Sequence, residues 1–349
     1  MTSLELDFDR HPVIVWEVTR ACSLHCQHCP MGAEARRSPL ELSTYEGYKT
    51  IDQIAALEPS RFVLSGGDPL EREDVFQFIE YAKRRGLDPA IALSPTPALT
   101  QAAMNEIASK GASRVVMSLD DAAALRHDAL RGIPGTFAAT LDAIRWAREA
   151  GIAVEINTLI SRRNAPHLAE ILALILSLGA DAWNLHFLVP VGGAKMVDVL
   201  TAEEAERVFE FIDGAAEQIA IRVVEAPHYL RHRVQKTLSK WPDFAGYQTD
   251  GSAPVATHDA RGIVFISHSG EVRPSELLPL SAGNLRYRPL GAIFRGGDLF
   301  VALRDPRNLK GKCSRCDYAR ICGGSRARAF AATGDLFGSD PLCAYEPGH

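Results

Sequence analysis

Between about residues 12 and 220, short β-rich runs alternate with amphipathic helical stretches, and this alternation commits the chain to an α/β fold. The β-rich runs are VIVWEV (13–18), RFVLS (61–65), PAIALS (89–94), SRVVMSL (113–119), IAVEINTL (152–159) and AWNLHFLV (182–189). Helical patterns such as TYEGYKTIDQIAAL, REDVFQFIEYAKRRG and TFAATLDAIRWAREAG lie between them. Several stop at a glycine (Gly86, Gly111, Gly151, Gly179), the residue that ends a helix most easily. Strand–helix–strand repetition requires parallel strands joined by right-handed crossovers. Six such units predict either an open doubly wound sheet or an incomplete barrel. A helical pattern at 201–218 and a β run at 219–226 follow. Residues 227–260, with Trp241-Pro242 and a Gly/Ser/Pro stretch, read as an irregular connection. RGIVFISHSGEVRPS (261–275) reads as a hairpin turning at Ser269-Gly270. The expected organisation is therefore a barrel-type domain over 1–226, a connection over 227–260 and a small C-terminal domain over 261–349.

Composition matters chiefly through cysteine. The chain has seven, at 22, 26, 29, 313, 316, 322 and 343, and none in the long stretch between Cys29 and Cys313. An odd number in a chain whose start, MTSLELDFDRHP, lacks a signal-peptide layout argues against a disulfide framework. It points to a cytoplasmic protein with two metal sites, one of three thiolates and one of four. A net charge of −5 gives no polycationic signature for nucleic acid, and no apolar run approaches a membrane span.

Cys22, Cys26 and Cys29 sit in TRACSLHCQHCP, directly after the first β run. Their x3–x2 spacing puts three thiolates on one loop, able to ligate three irons of a cubane and leave the fourth iron open. Zinc is the alternative, with His25 or His28 as fourth ligand. Cys313, Cys316, Cys322 and Cys343 form a four-thiolate set suited to a closed site, for a cluster or for zinc.

The triplet after the first strand resembles the radical S-adenosylmethionine (SAM) superfamily, which implies a partial (β/α)6 TIM-type barrel. It also implies that Cys22, Cys26 and Cys29 hold a [4Fe–4S] cluster whose open iron is chelated by SAM. Reductive cleavage then gives methionine and a 5′-deoxyadenosyl radical that abstracts hydrogen from a substrate. SGGDPL (65–70) resembles the glycine-rich motif that contacts SAM, implicating Gly66, Gly67, Asp68 and Pro69; the family usually has Glu where Asp68 stands. Ser118 and Asp120 in SLDD resemble the polar pair that binds SAM after the fourth strand, and Asn157 is a further candidate. Each of these three is otherwise a polar residue satisfying a strand end.

KCSRCDYARICGGSRARA…DPLCAYEP resembles the SPASM/twitch extension of radical SAM enzymes. A full SPASM domain holds two auxiliary clusters. Ser275, Ser325 and Arg326 stand where further cysteines are expected, which implies one auxiliary [4Fe–4S] cluster on Cys313, Cys316, Cys322 and Cys343. Arg326 and Arg328 are expected at a solvated surface, beside the cluster or facing an acidic substrate, and Tyr318 is expected to pack on the cluster.

The closest likeness is to haem-biosynthesis-like enzymes and to maturases of ribosomal peptides. The expected reaction is modification of a tetrapyrrole side chain, with Arg273 and Arg326 meeting propionates; the alternative is hydrogen abstraction from a precursor peptide. Only about 11 residues precede the first strand, too few for an N-terminal peptide-recognition domain, which favours a small molecule. A flavodoxin- or ferredoxin-type protein is the expected electron donor. A two-cluster electron carrier or redox sensor is the reading from outside enzymology. No catalytic acid, base or radical relay is named by the sequence.

Overall fold

The computed structural model describes residues 11–24, 26–30, 32–240, 255–257 and 261–348. Its strands are β1 (Val13–Thr19), β2 (Arg61–Gly66), β3 (Pro89–Leu93), β4 (Arg114–Ser118), β5 (Ala153–Ile160), β6 (Ala182–Phe187), β7 (Ala220–Val224), β8 (Val255–Thr257), β9 (Ile263–Ile266), β10 (Glu271–Arg273) and β11 (Gly283–Asn284). The helices are α1 (Thr44–Ala55), α2 (Val75–Arg84), α3 (Gln101–Ser109), α4 (Ala124–Arg131), α5 (Thr136–Glu149), α6 (Leu168–Ser177), α7 (Ala202–Ala215), α8 (His228–Lys240), α9 (Leu290–Gly296), α10 (Asp298–Arg304), α11 (Gly311–Ser314) and α12 (Arg326–Thr333).

All strands join one sheet in the order β11-β10-β9-β1-β2-β3-β4-β5-β6-β7-β8. From β1 to β8 each strand pairs in parallel with the next, with no reversal of direction across the sheet. A doubly wound fold needs such a reversal at its switch point. Its absence leaves the incomplete barrel, whose edges β8 and β11 are not joined. The predicted hairpin is β9–β10, with Gly270 at φ +85° in its turn. It does not stand apart: β9 pairs in parallel with β1, on the side away from β2.

Alternation along the strands separates two environments. Ile14, Trp16, Phe62, Leu64, Ile91, Met117, Ile156 and Trp183 belong to the main apolar core, with Ile51, Phe78, Ile107, Ile144, Ile171 and Phe209 from the helices. Burial of each such side chain contributes about 1.5–3 kcal/mol. The alternate residues Val63, Ala90 and Val116 form a separate small apolar layer. Toward the strand N-termini this face carries charge: Arg61 grips Glu155 at 2.6 and 2.5 Å, with Arg222 at 3.1 Å. Burial opposes the Glu155 charge, yet Arg61 and Arg222 hold its carboxyl at about 2. Toward the C-termini the same parity brings up Glu17, Ser65, Ser118, Asn157 and His186.

The irregular connection expected over 227–260 is corrected in part: residues 228–240 form α8 and 255–257 pair with β7. Trp241-Pro242 and the stretch at 251–254 lie outside the described residues. HYLRHRVQKTLSK carries too thin an apolar stripe to announce a helix. It is secured instead by α7, whose Asp213 accepts from Tyr229 Oη at 2.7 Å and from Lys236 Nζ at 2.7 Å.

Candidate active site and second cysteine centre

The cysteine loop begins where β1 runs out, and it is held mainly by backbone. The N–H of Cys22 donates to Glu34 O at 2.9 Å, and Glu34 N–H to Arg20 O at 3.0 Å. On the other side, Gly67 N–H donates to Thr19 O at 2.9 Å and Asp68 N–H to Ala21 O at 2.7 Å. A Cβ on Gly67 would lie 2.5 Å from the carbonyl oxygens of Arg20 and Ala21, so only glycine admits this approach. A second pair does the same from beyond β6: Cβ atoms on Gly192 and Gly193 would run into Cys29 O and Gln27 O. The loop is therefore seated between β2 and the segment after β6.

Two of its thiols are held protonated by burial. None of the seven cysteines forms a disulfide. Burial pushes the Cys22 thiol up to about 11, and burial also raises Cys26 against the pull of Arg131, whose Nη1 lies 3.9 Å from its Sγ. A buried thiol of this kind releases its proton readily only to a cation. Asp120 Oδ2 sits 2.6 Å from Arg131 Nη2 and 3.9 Å from His28 Nε2. Burial opposes the Asp120 charge, but Arg131 and then His28 hold the carboxyl below its ordinary range. His28 Nδ1 and Arg131 Nε are buried with no hydrogen-bond partner among the described residues. Buried polar atoms without a partner fit a site that receives a charged group.

Beside the loop opens a cavity of about 670 Å3. His28 and Pro30 line it from the loop, Ser118 and Asp120 from the end of β4, and Asn157 and His186 from β5 and β6. Ser118 and Asn157 are register partners, and Asn157 accepts from Asn184 Nδ2 at 2.8 Å. Asp120 is fixed from below, accepting from Leu159 N–H at 2.9 Å, while its carbonyl accepts from Asn164 Nδ2 at 2.8 Å. Leu188 and Val189 give an apolar wall, and Glu276 and Leu277 reach in from the segment after β10.

The sequence-predicted residues divide accordingly. Ser118, Asp120 and Asn157 come together on this cavity. Gly66 and Gly67 are pressed against the backbone of residues 19–21. Asp68 is fully buried; its side chain accepts from Leu70 N–H at 3.1 Å and from the Thr96 hydroxyl, and burial raises its carboxyl to about 6. Pro69 follows as the first residue of a short 3-10 turn. Gly192, Gly193, Arg131, Asn164, His186 and Glu276 were not signalled. A second glycine pair after the sixth β run was the one visible hint.

Cys313, Cys316, Cys322 and Cys343 line a second cavity of about 360 Å3 with His228, Arg231, Lys312, Tyr318 and Tyr345. Burial raises the Cys316, Cys322 and Cys343 thiols; the buried His228 ring meets Asp340 through Nε2 at 3.2 Å and leaves Nδ1 without a hydrogen-bond partner. Four thiols around a hollow fit a thiolate-bound metal group. Tyr318 and Tyr345 meet edge to face at 5.2 Å on its wall. The surface role expected for Arg326 and Arg328 is corrected: they are 1% and 0% exposed. Arg326 Nη1 donates to Gly338 O at 2.7 Å, which removes it as a substrate contact. Arg328 donates to Asp340 at 3.0 Å and to the carbonyls of Phe187 and Leu188 at 3.2 Å each, tying the C-terminal segment to the end of β6. Arg273 is bound to Glu271 at 2.5 Å and is not part of the first cavity.

Residues 16–175 match the Radical SAM superfamily. The AdoMet-dependent heme synthase of Methanosarcina barkeri (strain Fusaro / DSM 804) is 36% identical over 343 residues, covering 96% of this chain and 97% of that protein. The PqqA peptide cyclase of Rhodopseudomonas palustris (strain ATCC BAA-98 / CGA009) is 27% identical over 349 residues, covering 96% of this chain and 87% of that one. Among solved structures, Streptococcus suis SuiB bound to S-adenosylmethionine superposes with a TM-score of 0.73 at 15% identity, over 96% of this chain and 78% of SuiB. No helix among the described residues is long and apolar enough to cross a membrane.

Proposed function

Because this chain belongs to the radical SAM superfamily, we propose that it acts on a carboxylate-bearing side chain of an iron tetrapyrrole. It is a SAM-dependent radical enzyme. In this reading Cys22, Cys26 and Cys29 hold the SAM-binding [4Fe–4S] cluster, and Cys313, Cys316, Cys322 and Cys343 hold one auxiliary cluster within a C-terminal unit over 261–349. When bound, the cluster and SAM supply a 5′-deoxyadenosyl radical by one-electron reductive cleavage, a species able to take hydrogen from an unactivated carbon.

The chain's own residues supply placement. The backbone clamp from Glu34, Gly67 and Asp68 fixes where the cysteine loop stands. Ser118, Asp120 and Asn157 offer the polar contacts that orient SAM, while Leu188, Val189 and Leu277 keep water from the reacting carbon. The Asp120–Arg131 pair keeps a fixed dipole beside Cys26. A flavodoxin- or ferredoxin-type donor would deliver the electron.

The observation that carries the reading is the shared cavity, in which the cysteine loop, the polar ends of β4–β6 and the C-terminal segment all meet. The tetrapyrrole is preferred over a peptide because the heme synthase is the nearer relative, at 36% against 27% for the peptide cyclase. The test is anaerobic reconstitution followed by incubation with SAM, dithionite and iron-coproporphyrin III, with assay for 5′-deoxyadenosine and for altered tetrapyrrole. Deoxyadenosine that depends on Cys26, together with a changed tetrapyrrole, supports the proposal. Deoxyadenosine with the tetrapyrrole untouched transfers it to a peptide substrate.

A further inference from the structure

Among the described residues, Glu276 is the one carboxyl that the C-terminal third of the chain brings to the reaction cavity. The segment that carries it is anchored on both sides: Pro274 and Ser275 are buried, and so is Leu278. Glu276 itself faces the hollow, and no backbone or side-chain group of the described residues hydrogen-bonds its carboxyl. The hydroxyl of the adjacent Ser275 is buried and unpartnered. The half-buried Glu276 carboxyl stands on the cavity wall with no protein partner, so its partner is to be sought in the cavity.

The surroundings decide what kind of partner fits. Glu17 of β1 is the charged group that acts on Glu276 from the strand side; it is bound to His268 at 2.7 Å and lies 3.4 Å from Arg20. Across the cavity stand His28, Asp120 and Arg131, the last two paired with each other, and His186. Burial lowers His186 to about 4, so it is neutral at ordinary pH. No cation of the described residues pairs with Glu276. Burial first, and then Glu17, raises its carboxyl to about 7. A group in that position holds its proton on the acid side of neutrality and is then a hydrogen-bond donor.

We propose that Glu276 is the residue that meets the substrate, its carboxyl donating a hydrogen bond to a carboxylate of the bound molecule. This deepens the tetrapyrrole reading and rests on it: the ligand class is one carrying propionate-type side chains. It also gives the C-terminal segment a purpose in specificity, because an uncharged or esterified side chain loses this contact.

The test is binding rather than turnover. Iron-coproporphyrin III and its tetramethyl ester are titrated into the wild-type holoenzyme, Glu276→Gln and Glu276→Ala, followed by visible absorption from pH 6 to pH 8. Gln keeps the shape and a donor but has no proton to lose. The wild type is expected to bind the free acid up to about tenfold more weakly at pH 8 than at pH 6, the full span that loss of the proton from a carboxyl near 7 can give over that range. Glu276→Gln should hold the pH 6 affinity across the range, and Glu276→Ala should bind weakly throughout. Neither substitution should alter binding of the ester. Identical profiles for all three proteins, or a Gln variant as weak as Ala, overturn the inference while leaving the tetrapyrrole reading intact. A wild type that binds neither compound overturns that reading, and the inference with it.

Discussion

The two cysteine centres use the same ligand in opposite settings. The first has three thiols on a short loop, seated by backbone hydrogen bonds and two glycine pairs, next to a large cavity edged with polar strand ends. The second has four thiols drawn from a longer stretch, around a smaller hollow lined by a tyrosine pair and one imidazole. What differs is the side left for a further ligand. In the proposed reading the first centre is one ligand short and adjoins space for a small molecule, while the second supplies four ligands around a smaller hollow. Open and closed coordination would then follow from how the chain is routed, since the donor atoms are identical.

The sharpest way to break this contrast is to remove one thiol from each centre. Cys26→Ala should lower deoxyadenosine formation to background and cost about half of the roughly eight irons expected from two [4Fe–4S] clusters. Cys316→Ala should lose a similar share of iron yet retain SAM cleavage, as iron analysis and product assay would register. Loss of cleavage in both variants would erase the distinction.

A smaller effect is expected at Asp340, which joins the second centre to the barrel through Arg328 at 3.0 Å and His228 at 3.2 Å. Burial opposes its charge, but Arg328 and His228 depress its carboxyl well below the usual range. Its stabilisation is therefore present above the unfolded carboxylate value, about 3.9, and disappears as pH falls through the lower folded value. Asp340→Asn leaves Arg328 buried without its counter-charge and should destabilise folding by about 3–5 kcal/mol at neutral pH. Denaturant melts from pH 7 down to pH 3 should show the variant less stable throughout, with the gap only beginning to narrow below about pH 4.

Gly67→Ala comes next, at about 1–3 kcal/mol for a methyl forced against backbone. Because the methyl meets Arg20 and Ala21, SAM cleavage should fall while the second centre keeps its iron. Least is expected of Tyr345→Phe, whose hydroxyl bond to the exposed Asp317 spans 3.2 Å. Its effect on stability should stay within about 0.5 kcal/mol.

Much of this was legible in the chain itself, for local reasons. All six β runs between residues 13 and 189 match strands to within two residues, because alternation and glycine stops are short-range signals. Ser118, Asp120 and Asn157 could be named in advance because each lies at or just past the end of a β run, where parallel β/α folds form their sites. What stayed hidden depends on partners distant in sequence. α8 is held through charges on α7, which no window over residues 228–240 contains. RAR in the last third read as surface because arginine usually is surface; here their guanidinium groups close carbonyls left open at Phe187, Leu188, Leu336 and Gly338. Glu276 looked like any glutamate until the register of β9 against β1 carried it to the cavity.

That register also sets the order in which the protein can be made. Glu17 accepts hydrogen bonds from the backbone N–H and the ring of His268, 251 positions downstream. At ribosomal rates of about 5–20 residues per second, the strand that leads into the first cysteine loop waits roughly ten seconds to a minute for its second neighbour. Until then one side of β1 is an unpaired apolar edge, open to any other nascent strand. A chain released before residue 263 would keep that edge for good and be a poor recipient for iron, however intact its first cysteine motif. Cluster assembly in the cell must therefore be matched to finished chains, and premature termination near the middle should yield aggregates rather than a working fragment.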